Sequence, residues 1–471
     1  MNVSSKNIEK VVGLAPIAES LLQKFDVNGP RYTSYPTADR FVEAFTEKTY
    51  KEALEQRRLR PINQPLSIYV HIPFCESLCF YCACNKIVTK HHERSREYLD
   101  YLKKEINLYL DYLGQKQNVS QLHLGGGSPT FFSDEEIQEL FNKLKQVFIL
   151  NPQGEYSIEV DPRTVDEKRL KKLREIGFNR LSFGVQDFNP DVQKAVHRIQ
   201  PFNEVASLMS SAKQDGYASI NMDLIYGLPL QTTEIFDQTL NQVINLKPDR
   251  IALYAYAHLP QRFKPQRRIN DNEIPSAKKK ISMLSIAIKK FLAAGYVYVG
   301  MDHFALPTDS LAIAKRQGRL HRNFQGYSTQ PDCDIIALGV SAIGRIGANY
   351  NQNSKGLEDY YDHLNHSRFP ITKGLALSKD DIVRRAVIME IMCQGRLHYE
   401  SIELAYMVNF KEYFSSEMKL LESFQEKDFL ELNDSGIEVT DTGWFFVRAI
   451  AMIFDRYLQL DQNRTRFSKI L

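Results

Sequence analysis

Cysteine is scarce in this chain, with six in 471 residues. That density excludes a disulfide scaffold, which packs many cysteines into a short secreted domain. Long apolar runs are lacking as well: none approaches the roughly 18–20 residues that cross a bilayer. Charge of one sign is not in excess, since 60 basic and 57 acidic side chains leave a net +3. Nothing global therefore points to nucleic acid. Near the start, Lys6 and Lys10 precede VVGLAPIA, but this run is short and Glu9 and Glu19 flank it, which is unlike a secretory leader. The expectation is a cytoplasmic protein that binds neither nucleic acid nor membrane. Repeats and low-complexity segments are also missing. Hydrophobic residues at 43% and charged residues at 25% are ordinary for a globular protein. The length calls for two or three domains.

What is present is a local concentration of thiols. Within YVHIPFCESLCFYCACNKI, Cys75, Cys79, Cys82 and Cys84 fall in ten residues, spaced C-x3-C-x2-C-x-C. Cys333 and Cys393 stand alone and read as buried thiols. A cysteine cluster in a reducing compartment reads as metal or redox chemistry. Structural zinc usually draws on two separated ligand pairs, and closing a tetrahedron through C-x-C is awkward. The four-cysteine spacings of electron-transfer clusters differ from this one. A third arrangement uses Cys75, Cys79 and Cys82 on three irons of a [4Fe–4S] cluster, leaving the fourth iron open to a substrate.

Around this loop, β-rich runs alternate with helical patterns. Strands are expected at 67–72, 119–124, 156–160, 180–185, 218–225 and 250–256, with helices near 92–113, 134–148, 165–176, 201–215, 231–246 and 276–294. Ser133 followed by Glu136 marks a helix start. Six βα units predict a parallel sheet with helical crossovers. They are too few for an eight-stranded barrel, and the pattern leaves sheet closure open between a partial barrel and a doubly wound sheet. The chain divides into an arm over 1–60, a core over 61–310, a connecting segment over 311–377 and a mainly helical domain with a β wing over 378–471. In the arm, GPRYTSYPTADRF reads as an ordered loop, with a surface linker as the plainer alternative.

The cysteine loop follows the first strand, on the face where parallel folds place their sites. Polar groups end the other strands. HLGGGSPT offers backbone amides, although a tight turn explains its glycines equally. Glu159 ends the third strand, Gln186 the fourth, and Arg198 follows shortly after. Asp223 lies inside an apolar strand and needs a partner to offset its burial. His71 reads equally well as a core histidine.

C-x3-C-x2-C with an aromatic before the last cysteine, here Tyr81, is the signature of the radical S-adenosylmethionine enzymes. Within them the chain resembles the oxygen-independent coproporphyrinogen III oxidases from about residue 28 onward. GPRYTSYPTA, YVHIPFC, CACNKI, GGGSPT, IEVDPR, GVQDFN, NMDLIYGLP, YAHLP, GMDHFA, HRNFQGYSTQ and LGVSAIG look like that family's motifs, in its order. The resemblance implies an α/β fold: a partial (β/α)6 TIM-like barrel core with an N-terminal arm and a mainly helical C-terminal domain. It implies a [4Fe–4S] cluster on Cys75, Cys79 and Cys82 and two molecules of S-adenosylmethionine. Tyr69, Gly126, Glu159 and Ile343 would contact the first; Tyr81, Gly127, Ser128, Gln186, Arg198, Asp223 and Ala257 the second. Cys84 would be needed for activity without ligating iron. The family often has Phe at the position of Tyr81 and Thr at that of Ser128.

The implied reaction converts two propionates of coproporphyrinogen III to vinyl groups, giving protoporphyrinogen IX for haem synthesis. A deoxyadenosyl radical takes a hydrogen from the propionate β-carbon, and the substrate radical then loses carbon dioxide and an electron. An electron donor such as reduced flavodoxin or ferredoxin is implied, and a monomer is expected. Arg31, Arg198, Arg322 and Arg345 are candidates for the substrate carboxylates, and Tyr32 and Tyr35 of the arm for a cover over the site. The alternatives are a haem-carrying relative, which generally lacks the arm and the fourth cysteine, and a zinc-binding interaction module.

Overall fold

The computed structural model describes residues 27–60, 64–114 and 116–460. The segment containing Lys6, Glu9, Lys10 and Glu19 lies outside the described residues. The main sheet joins twelve strands: β1 (Leu66–Ile72), β2 (Asn118–Gly126), β3 (Ile149–Val160), β4 (Arg180–Gln186), β5 (Ser219–Tyr226), β6 (Arg250–Ala255), β7 (Val297–Gly300), β8 (His303–Ala305), β9 (Ile335–Leu338), β10 (Ile343–Ile346), β11 (Asn349–Asn353) and β12 (Ile371–Ala376). Their spatial order is β12-β11-β10-β9-β1-β2-β3-β4-β5-β6-β8-β7. Strands β1 to β6 are parallel, as the six βα units require, and β9 adds a further parallel strand beside β1. Antiparallel strands β10 to β12 extend one edge, and β8 and β7 the other. The sheet therefore curls as a partial barrel with extended rims.

Alternation along each strand separates two chemistries. On β1, Leu66, Ile68, Val70 and Ile72 are fully buried under the helices, each contributing about 1.5–3 kcal/mol by leaving water. Tyr69 and His71 take the other face. On β5, Ile220, Met222 and Leu224 go outward to the helices, whereas Asn221 and Asp223 line an interior cavity. The strand that reads as apolar with one misplaced carboxylate is thus amphipathic with period two.

Helices α1 (Glu47–Arg58), α2 (Glu93–Leu113), α3 (Asp134–Val147), α4 (Glu167–Ile176), α5 (Phe202–Gln214), α6 (Thr233–Leu246) and α7 (Ala277–Ala293) pack outside. In α2 the helical stripe Tyr98, Leu102, Ile106 and Tyr109 is buried. Ser133 and Glu136 form the reciprocal cap of α3. Helix α1 was not expected. Its buried Tyr50, Ala53, Leu54 and Arg57 follow helical spacing, but charged neighbours dilute the pattern. Strands β11 and β12 and the helix Leu357–Asn365 were also missed.

The hairpin 321–328 bridges the inside of the curl. Gln325 Nε2 donates to Ser67 Oγ on β1 (3.3 Å), Gln121 Nε2 on β2 to Ser328 Oγ (3.3 Å), and Thr329 just beyond reaches Glu155 on β3 (2.5 Å). Tyr327 packs edge-on against His303 of β8 at 5.5 Å. The arm is fastened to the C-terminal region rather than spread over the cavity. Tyr32 donates to Asp455 (3.0 Å) and the Arg456 amide donates to Tyr35 (3.3 Å), with both rings fully buried. These rings gain more from burial than from facing solvent at the site, so the expected cover is an anchor, and Arg31 beside them reaches Asp302 between β7 and β8. The C-terminal region carries α8 (Lys379–Gln394), shorter helices, and a three-stranded wing of 396–398, 430–432 and 436–439.

Candidate active site

The cysteine loop crosses the mouth of the barrel, where β1 ends. Residues 74–75 pair in parallel with 87–88, so the loop is closed at its base. Phe80 and Tyr81 pack on a small apolar cluster of Val192, Val196, Leu228, Tyr256 and Ile269, which ties the loop to the far strand ends. The amides of Gly127 and Ser128 donate to Ile72 and Phe74 carbonyls at 2.8 and 2.7 Å. A Cβ on Gly127 would come within 2.7 Å of the Pro73 carbonyl, and Gly126 has φ +116° with His71 directly against it. These glycines thus serve the protein's own close packing of strand end on loop, and the Gly126 and Gly127 amides are engaged by protein acceptors.

Cys75 and Cys79 are buried, Cys82 half-buried and Cys84 exposed, and all are free thiols. Each buried sulfur has polar company. Ser128 Oγ lies 3.7 Å from the Cys75 sulfur, and Arg198 and Arg163 lie 3.4 and 3.5 Å from that of Cys79. Burial pushes the Cys75 thiol up to about 12, so a thiolate there calls for a cation. The hydrogen bond from Cys84, outweighing burial with help from Lys86, brings Cys82 down to about 6. Among the described residues, no three His, Cys, Asp or Glu side chains converge as single-ion ligands, whereas a four-iron cube takes its cysteines at separate corners.

Behind the loop, the concave face carries a relay of polar side chains around a cavity of about 160 Å³. Tyr69 stacks on His123 at 5.9 Å and its hydroxyl bonds His71 Nδ1 at 3.1 Å. His123 meets Ser157 Oγ (2.6 Å) and Glu159 (3.2 Å), and Glu159 also accepts from the Gly126 amide (3.1 Å). Burial pushes the Glu159 carboxyl up, but His123 and that amide outweigh it and hold it below its usual range. Asp223 accepts from Ser182 Oγ (3.1 Å) and Asn221 Nδ2 (2.9 Å). Burial and the nearby Glu159 raise it to about 6. The partner that its burial demanded is therefore neutral.

Arg198 holds Asp161 at 3.1 Å and the Gly184 carbonyl at 2.5 Å. Gln186 has a left-handed backbone (φ +68°) and a buried side-chain oxygen with no hydrogen-bond partner, the kind of orphan that a ligand satisfies. Ile343 begins β10, next to β9 and hence near β1. Ala257 follows β6, and its carbonyl accepts from Gln266 Nε2 at 3.1 Å, as does that of Tyr81 at 3.0 Å.

His123, Ser182, Asn221, Arg163 and Gln266 were missed as site residues. The strand alternation carried a signal for the first three, since they share a face with Glu159 and Asp223. Gln266 carried none, because only the fold brings it between two distant carbonyls.

Residues 69–243 match the Radical SAM superfamily, and residues 377–446 match the HemN C-terminal domain. The oxygen-independent coproporphyrinogen III oxidase of Pseudomonas aeruginosa is 47% identical over 453 residues, covering 96% of this chain and 98% of that protein. That of Escherichia coli is 45% identical over 452 residues, with 96% and 98% covered. The chain belongs to the oxygen-independent coproporphyrinogen III oxidase family. The solved coproporphyrinogen III oxidase (HemN) from Escherichia coli, described as a Radical SAM enzyme, superposes with a TM-score of 0.89 at 44% identity, covering 93% of this chain and 99% of that one. The family assignment brings with it a [4Fe–4S] cluster and S-adenosylmethionine as cofactors. The donor set fits both. Three thiols on one loop suit the cluster, and the orphaned Gln186 oxygen and the carboxylates of the concave face suit a polar, cationic ligand.

Proposed function

We propose that this chain catalyses oxygen-independent oxidative decarboxylation of two propionates of coproporphyrinogen III, giving protoporphyrinogen IX in haem synthesis. The observation that carries this is the identity of 47% along nearly the whole chain to an enzyme named for that substrate. When bound, the cluster and S-adenosylmethionine supply the radical that begins the reaction.

Cys75, Cys79 and Cys82 hold the cluster. Arg163 and Arg198 offset the charge of the Cys79 thiolate. Tyr69, Gly126, Glu159 and Ile343 hold a first S-adenosylmethionine. Glu159 is fixed by His123 and by the Gly126 amide, so it stays ionised for a cationic group. Tyr81, Gly127, Ser128, Gln186, Arg198, Asp223 and Ala257 hold a second molecule, with Asp223 an acceptor for hydroxyl donors. Cys84 works beside the cluster without ligating it; its free thiol is exposed and hydrogen-bonded to Cys82.

The six free thiols support a reducing, cytoplasmic setting, and no helix among the described residues is long and apolar enough to cross a membrane. The reading includes a reduced flavodoxin or ferredoxin as electron donor and a monomeric enzyme. The test is an anaerobic assay of reconstituted protein with coproporphyrinogen III, S-adenosylmethionine and a strong reductant, quantifying porphyrin product and 5′-deoxyadenosine together. Protoporphyrinogen formed alongside deoxyadenosine is expected. Deoxyadenosine without decarboxylation, or stable haem binding without turnover, overturns the reading in favour of another substrate or a haem carrier.

A further inference from the structure

Four arginines were candidates for the substrate carboxylates, and their surroundings divide them. Arg198 is matched by Asp161, and Arg345 by Asp332 at 2.7 Å with the Cys333 carbonyl beside it. Arg31 is also paired, with Asp302, but it keeps 30% of its side chain exposed and lies beside Arg322. Arg322 Nε donates to the Arg31 carbonyl at 3.1 Å, although the two are 291 positions apart. Each guanidinium lies over the ring of a tyrosine that lines the interior cavity: Arg31 over Tyr254 at 5.1 Å, Arg322 over Tyr327 at 4.6 Å. Arg448 is close behind and donates to the Gly29 and Pro30 carbonyls.

The charges here are not balanced as they are elsewhere. Arg31 pairs with Asp302 at 2.5 Å, whereas Arg322 donates to a carbonyl. Arg322 Nη1 is buried and has no hydrogen-bond partner, and the residue is 4% exposed. Burial and repulsion from Arg31 and Arg322, only partly offset by Asp302, bring Arg448 down to about 9. His303, in the same cavity wall, is held near 3 by burial and by Arg322, so it stays neutral. A buried guanidinium with a free N–H, among others of its sign, is a site made for an anion, and planar bidentate geometry favours a carboxylate.

We propose that Arg31 and Arg322 form the carboxylate clamp for propionate side chains of the substrate, beside Tyr254 of β6 and Tyr327 of the hairpin. This rests on the proposed function. Coproporphyrinogen III carries four propionates, so some must be held while another meets the radical. An anchor on the other propionates fixes the macrocycle's rotation and presents one propionate β-carbon for attack. Arg31 comes from the arm and Arg322 from the hairpin inside the curl, so the clamp also explains why both must be docked for a complete site. The carboxylate could instead belong to S-adenosylmethionine, and the experiment separates the two.

Reconstituted R322M and R31M enzymes are compared with wild type, varying coproporphyrinogen III at saturating S-adenosylmethionine and then the reverse. The expected result is a porphyrinogen KM raised about tenfold or more, the loss of one well-placed contact, with iron content and the S-adenosylmethionine KM unchanged, and partial recovery in R322K. As a readout independent of turnover, wild type binds coproporphyrin III more tightly than its tetramethyl ester, and both variants lose that discrimination. If R31M, which alters a partly exposed side chain, and R322M both keep the wild-type porphyrinogen KM and acid-over-ester preference, the clamp is wrong. A loss of S-adenosylmethionine affinity instead assigns the arginines to the cofactor and also overturns it. If wild type neither binds nor converts the porphyrinogen, the functional reading itself fails, and the clamp with it.

Discussion

Where the barrel strands begin, buried charges are paired. Arg180 meets Glu155 at 2.8 Å, Arg250 meets Asp309 at 2.9 Å, and Arg57 of α1 meets Asp334 ahead of β9. Toward the other end, Asp223 has only neutral donors, the Gln186 side-chain oxygen and Arg322 Nη1 have no partner, and four thiols crowd one loop. Both regions bury polar groups and both leave single atoms without a partner, Arg57 Nε and Arg180 Nε among them at the base, but at the base these guanidinium charges are matched by carboxylates. Pairing removes most of the desolvation cost and makes the lower end a rigid base. At the mouth the cost is left standing for ligands to offset, as expected of the C-terminal face of a parallel barrel.

The sharpest break in this contrast comes from the thiols. Cys75→Ser, Cys79→Ser or Cys82→Ser should each abolish the cluster's brown colour and all turnover. Full iron content in any one would remove that residue from the ligand set. At the base, Arg57→Met strips Asp334 of its main partner and should cost about 3–5 kcal/mol of stability in a denaturant titration, with kcat/KM per folded enzyme unchanged. A comparable loss of activity would mean that the base is not separate from the site.

Asp223→Asn should do the opposite at the mouth. The carboxyl is raised to about 6 from an unfolded value near 3.9. Between those values folding takes up a proton, so this group's contribution to stability declines as pH rises through about 6. The variant should therefore be more stable than wild type at pH 8, by about 1–3 kcal/mol, and no more stable at pH 4. Its turnover should fall about 10–100-fold, the loss of a charge-assisted hydrogen bond. Stability that falls at pH 8 would refute the account of an uncompensated carboxylate. The smallest effect is expected from Gln266→Leu, which unties the Tyr81 and Ala257 carbonyls. It should raise the S-adenosylmethionine KM about three- to tenfold with cluster content intact; a change in iron content instead would assign Gln266 to the cysteine loop alone.

Local signals were sufficient for the βα series. Strand alternation, the Ser133 cap and the stripe on α2 are short-range properties, and they placed the six parallel strands and their helices to within a few residues, apart from an earlier start to β3. The edges were harder. Strand β11 is NYNQN, polar in composition yet almost wholly buried, because the neighbouring strands β10 and β12 satisfy its backbone. Helix α1 hides Arg57 in its apolar stripe, and its charge is met by Asp334, 277 positions away, with the Gln64 carbonyl beside it.

What this chain's sequence determined alone was the chemistry within reach: three thiols at C-x3-C-x2-C, an aromatic before the third, and carboxylates at strand ends. Spacing within one loop and period two along a strand are local, so no fold is needed to see them. What each arginine meets was decided by tertiary structure. Arg31, Arg198, Arg322 and Arg345 are equal in sequence, and they differ only in what the folded chain sets opposite each one. Burial sets the cost of each charge, and partners from remote segments decide whether that cost is met within the protein or left for a ligand.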